Sequence, residues 1–64
     1  MYIIKVNGIY LAHINRTYNQ VKSMQLTSDK RDATRFPREE DARSVVNTLN
    51  ANNYLAYTLP VRSR

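Results

Sequence analysis

One histidine, five carboxylates and one glycine bound the chemistry open to this chain of 64 residues. A metal site built on His13 would have to recruit Asp29, Asp32, Glu39, Glu40 or Asp41, whose spacing matches no ligand motif. Ser23, His13 and Asp29 or Asp32 supply the group types of a nucleophilic triad, but neither a nucleophile elbow nor a glycine-rich oxyanion loop accompanies them. A phosphate cradle needs glycines where backbone approaches ligand, and Gly8 is already committed to an Asn7-Gly8 turn. Glu39, Glu40 and Asp41 are consecutive, so on a helix they point in different directions and do not form an acid and base pair. These observations exclude a P-loop nucleotide site and point to a protein that is not an enzyme and uses no cofactor or metal.

Binding chemistry is better represented. Residues 1 to 28 carry Lys5, Arg16 and Lys22 with no acid; residues 29 to 43 carry five bases and five acids; residues 44 to 64 add Arg62 and Arg64. The whole excess of +5 therefore comes from the two ends of the chain, the footprint expected toward a partner rich in phosphate or carboxylate. Tyr10 falls beside Lys5, and Tyr18 lies near Arg16 and Lys22. A tyrosine among cations can stack on bases or anchor a protein interface. The candidate binding residues are thus Lys5, Tyr10, Arg16, Tyr18, Lys22, Arg62 and Arg64.

The elements that must position them can be read from periodicity. Tyr2 to Val6 and Ile9 to Ile14 are β-branched and aromatic runs joined by Asn7-Gly8, which predicts a hairpin with a type I′ turn. A two-residue turn sets Val6 opposite Ile9, Lys5 opposite Tyr10, Ile4 opposite Leu11, Ile3 opposite Ala12 and Tyr2 opposite His13. One face then shows Ile4, Val6, Ile9 and Leu11. The other shows Ile3, Lys5, Tyr10, Ala12 and Ile14, too apolar for a fully solvated face, so more protein or a partner covers it. Val21 to Leu26 alternates as a third strand, and Ala33 to Phe36 reads as a short extended segment stopped by Pro37. From Arg38, Ala42, Val45, Val46 and Leu49 form one helical stripe, with acids in the first turn to complement the helix dipole. Asn50-Ala51-Asn52-Asn53 ends that helix, and Tyr54 to Leu59 alternates as a last strand with Leu55, Tyr57 and Leu59 on one side.

The expected fold is α+β: a small, mostly antiparallel sheet with one helix packed on one face, in the order β-β-β-β-α-β, as a single domain over residues 1 to 64. A chain this short buries only about 60% of the surface its unfolded form exposes. The absence of cysteine removes disulfides as a staple and leaves homodimerisation as the remaining one. No run approaches the roughly 20 apolar residues of a membrane span, and the first residues lack a basic signal region. A soluble, unprocessed protein of the cytoplasm is expected. Asn15-Arg16-Thr17 matches a glycosylation sequon, but nothing else marks secretion.

Two resemblances bear on function. Ala33-Thr34-Arg35-Phe36 followed by Glu39-Glu40-Asp41-Ala42, Val45, Val46 and Leu49 resembles the strand-to-helix step of AP2-type DNA-binding domains over about a third of the chain. The family's tryptophans and arginine-rich strand motifs are missing, so no DNA contact carries over. The opening Tyr2-Ile3-Ile4-Lys5-Val6-Asn7-Gly8 and the helix start in a tiny cysteine-free chain are similar to short accessory proteins of bacteriophages and prophages. That group includes anti-CRISPR proteins, and the resemblance implies blockade of a host protein or nucleoprotein complex. The expected function is a non-enzymatic, phage-encoded inhibitor that acts through its basic sheet face in the bacterial cytoplasm; the alternative is an accessory protein that contacts DNA or RNA phosphates directly.

Overall fold

The computed structural model describes residues 1–17 and 20–61. Four strands, β1 (Tyr2–Val6), β2 (Ile9–Thr17), β3 (Gln20–Thr27) and β4 (Ala56–Pro60), form one antiparallel sheet in the order β3-β2-β1-β4. A 3-10 turn, Lys30–Asp32, follows β3, and α1 (Glu39–Ala51) crosses one face of the sheet. This is the expected small α+β architecture. The predicted fourth short strand contributes a single bridge, Phe36 to Tyr2.

The hairpin turn forms as its residues dictate, with φ of 51° at Asn7 and 93° at Gly8. Lys5 pairs with Tyr10 and Val6 with Ile9. Beyond those pairs the expected register is corrected: β1 and β2 part, and the chain around Thr34 to Phe36 takes the place of continued pairing. Tyr2 and Phe36 exchange backbone bonds of 2.9 and 2.8 Å, and the Thr34 N–H donates to the Leu11 carbonyl at 3.0 Å. The Thr34 hydroxyl adds a bond to the Ala12 carbonyl. Tyr2 therefore faces Phe36 rather than His13; on their other edges His13 pairs with Gln25 on β3 and Tyr2 with Pro60 on β4.

Two bulges reset which side chains face the helix. Between Leu11 and His13 β2 advances two residues while β3 advances one, leaving Ala12 as the extra residue; between Asn15 and Arg16 the extra residue is Lys22 on β3. A one-residue insertion reverses the alternation beyond it. Ile14, expected on the outer face, consequently packs into the core beneath the helix.

That core holds Ile4, Val6, Leu11, Ala42, Val45, Val46, Leu49 and Ala56, bordered by Tyr2, Ile14, Val21, Met24, Leu26, Phe36 and Tyr54. Ile9, expected under the helix, is exposed at the hairpin end, past the reach of α1. Ile3 points away from the helix yet is fully buried, and among the described residues Ala33 is the other buried apolar residue outside the helix-side cluster. The outer face is thus closed around Ile3 and stays open at the hairpin end, where Ile9 is exposed.

The helix starts after Pro37 with Glu39, Glu40 and Asp41 in its first turn, where their charge suits the helix dipole. It ends in a Schellman motif: Asn53 is left-handed at φ 70°, the Tyr54 N–H donates to the Leu49 carbonyl at 3.0 Å, and the Asn53 N–H donates to the Asn50 carbonyl at 3.2 Å. Tyr54 packs against the core cluster that contains Leu49, the apolar contact that accompanies this motif. The chain then enters β4, held to β1 at one end by Asn7 N–H to Leu55 carbonyl (2.9 Å) and at the other by Val61 N–H to Met1 carbonyl (2.7 Å). With those pairs bonded, Ala56 and Thr58 turn their backbone groups to the open edge. Asn50 meets Ala56 there: its Oδ1 accepts the Ala56 N–H at 3.0 Å and its Nδ2 donates to the Ala56 carbonyl at 3.3 Å.

Candidate functional site

On the face opposite the helix, β4, β1 and β2 align Tyr57, Lys5 and Tyr10 in one cross-strand row, continued by Thr27 on β3. Directly opposed side chains on one sheet face stand within reach of one another. The Lys5 ammonium sits 5.6 Å from the Tyr10 ring centroid, a cation–π approach that draws the lysine toward Tyr10. Tyr10 and Lys5 are half-buried, whereas Tyr57 is 46% exposed and its neighbour Leu55 72% exposed. The strands carry Lys5, Arg16 and Lys22 and no acid.

The candidate binding residues do not all gather on this face. Lys5 and Tyr10 do, and Lys22 is exposed on β3 at its bulge. Arg16 is corrected: past the Ala12 bulge its guanidinium turns to the helix side, where Nη1 donates to the Thr48 hydroxyl at 3.0 Å and Nη2 to the Ser44 hydroxyl at 3.4 Å. Tyr18, Arg62 and Arg64 lie outside the described residues. Sequence reasoning placed Tyr57 on a common side with Leu55 and Leu59 without assigning it a contact. The signal was there in the alternation of β4; what periodicity does not carry is that β4 adds beside β1, which brings Tyr57 next to Lys5.

Arg16 and α1 together form a second feature, an open polar cleft of about 700 Å³ whose lining includes Arg16, Glu40, Arg43, Ser44, Asn47 and Thr48. Thr48 is the buried polar residue of the helix, and its hydroxyl both accepts from Arg16 and donates to the Ser44 carbonyl at 3.2 Å. Arg43 is engaged by Glu39 at 3.1 Å, and Arg38 stands 3.7 Å from Glu40.

Elsewhere, Asp29 caps the 3-10 turn by accepting from the Arg31 N–H at 2.9 Å and pairs with its guanidinium at 3.2 Å. The Arg31 side chain first, and its backbone N–H second, hold the Asp29 carboxyl below its ordinary value of 3.8. Among the described residues no cluster of three or more metal-ligating side chains occurs, and no helix is long and apolar enough to cross a membrane. No family model, curated protein or solved structure matches the chain significantly.

Proposed function

We propose that this protein is a non-enzymatic binding module that grips an acidic surface of a host nucleoprotein complex through the open half of its outer sheet face, in the manner of phage-encoded inhibitors such as anti-CRISPR proteins. The observation that supports this reading is the Tyr57-Lys5-Tyr10 row with exposed Leu55 beside it. Interface hot spots combine aromatic anchors with a desolvatable cation, and an acid-free set of strands complements a carboxylate-rich partner.

Direct nucleic-acid binding is the second reading, because a tyrosine on either side of a lysine also suits stacked bases and a phosphate between them. With Arg16 on the helix side, one duplex cannot engage Arg16 and Lys5 together, which weighs against a duplex ligand.

The deciding experiment is capture of partners from a bacterial lysate with and without nuclease, using the wild type and Tyr57→Ala. A partner that survives nuclease and is lost with Tyr57→Ala supports the protein-binding reading. A partner lost with nuclease supports the nucleic-acid reading, and capture indifferent to Tyr57→Ala discards this face as the site.

A further inference from the structure

The cleft beside α1 presents the donors of Arg16, which no carboxylate of the described residues pairs. Among the described arginines, Arg31, Arg38 and Arg43 each stand beside a carboxylate, whereas Arg16 and Arg35 do not. Of those two, Arg16 is the half-buried one. Its guanidinium carries five N–H donors and spends two, both on neutral hydroxyls. The Thr48 proton is committed to the Ser44 carbonyl, but the Ser44 hydroxyl only accepts, so its own proton is free to donate into the cleft. Asn47 lies one turn from Ser44 on the same exposed helix face and adds an amide, and Arg43 lines the same wall.

We propose that this cleft binds a phosphate oxyanion, with the Arg16 guanidinium as its principal contact and Ser44, Asn47 and Arg43 completing the set. Donors arriving from a strand and from a helix surround a tetrahedral anion better than a flat carboxylate, which one guanidinium fork satisfies alone. Glu40, which also lines the cleft, with Glu39 and Asp41 in the same turn, opposes each added negative charge and so repels a polyanion that would continue through the cleft more than a single phosphate. The ligand is therefore a compact phosphate, either inorganic phosphate or the phosphate of a small monoester, and not a nucleic-acid backbone.

The test is a heteronuclear NMR titration at constant ionic strength with inorganic phosphate, with a nucleoside 5′-monophosphate, and with acetate as the planar control. Saturable shifts at the Arg16 Nε–H and at the Ser44, Asn47 and Thr48 amides are expected with the phosphates. Arg16→Gln should weaken binding about tenfold, and Ser44→Ala, which leaves the Arg16–Thr48 bond in place, about threefold. Lys5→Gln, on the opposite face, should leave the affinity unchanged, so this site stands or falls separately from the outer face. Tighter binding of the monophosphate identifies a phosphorylated small molecule; equal binding identifies free phosphate. The proposal is overturned if acetate gives the same shifts at the same concentration, or if Ser44→Ala and Arg43→Gln both keep wild-type affinity in a folded protein.

Discussion

The two faces of the sheet are held to different standards. Beneath α1, Ile4, Val6, Leu11 and Leu49 retain no exposed surface, and each side chain is constrained by its neighbours. On the other face only the Ile3 end is covered, while the Tyr57-Lys5-Tyr10 end sets the exposed Tyr57 and Leu55 beside a charge. The helix face explains why the protein folds; the open face carries residues whose types folding alone does not require. Substitutions should separate these roles, costing stability on one face and partner affinity on the other.

The largest effect is expected on the covered face. Leu49→Ala should remove about 2–4 kcal/mol by urea denaturation, from a domain of this length that holds only about 3–10 kcal/mol in all. An unchanged denaturation midpoint would erase the contrast between the faces. On the open face, Tyr10→Ala should cost about 2 kcal/mol of partner affinity, chiefly through faster dissociation in surface plasmon resonance. Tyr57→Ala should behave alike while shifting the denaturation midpoint little, and a larger loss of stability than of affinity would assign the row to packing. Gly8→Val touches neither face: a β-carbon at Gly8 meets no atom within 4 Å, so its expected cost of about 1–2 kcal/mol comes from φ +93° alone. A hairpin equally stable with valine would discard the type I′ geometry.

The smallest effect concerns pH. Asp29 has a lowered folded-state pKa, so its contribution is present above the unfolded value near 3.8 and is lost as pH falls through the lower folded value. Carbon-detected NMR of the Asp29 carboxyl should show that low midpoint, and Arg31→Gln should raise it. At an ion pair this open to solvent the accompanying change in melting temperature should be slight.

Local chemistry made much of this fold legible. Asn7-Gly8 specified the turn, the Ala42-Val45-Val46-Leu49 stripe specified the helix face, and the asparagine cluster specified the helix end. Each depends on residues within one or two turns of chain. The Ala12 bulge was not legible, because it depends on how Thr34 docks against β2 from 22 positions away. That single insertion moved Ile14 into the core and Arg16 onto the helix, splitting a predicted basic face into two separate features. Strand order was likewise hidden, since alternation names the sides of β4 but not its neighbour.

The Asn50 amide has a consequence for colloidal behaviour. By donating to and accepting from Ala56, it occupies the groups that a neighbouring strand would use, and Pro60 at the far end of β4 offers no N–H at all. Between them, Thr58 is left as a lone docking point, too little for a second chain to register upon. This edge is sealed against sheet-to-sheet growth by one side chain and one imino acid. A second copy that extends the sheet would have to do so along β3, where the Lys22 bulge interrupts the ladder. Concentrated solutions should therefore resist fibril formation through β4 until Asn50 is lost.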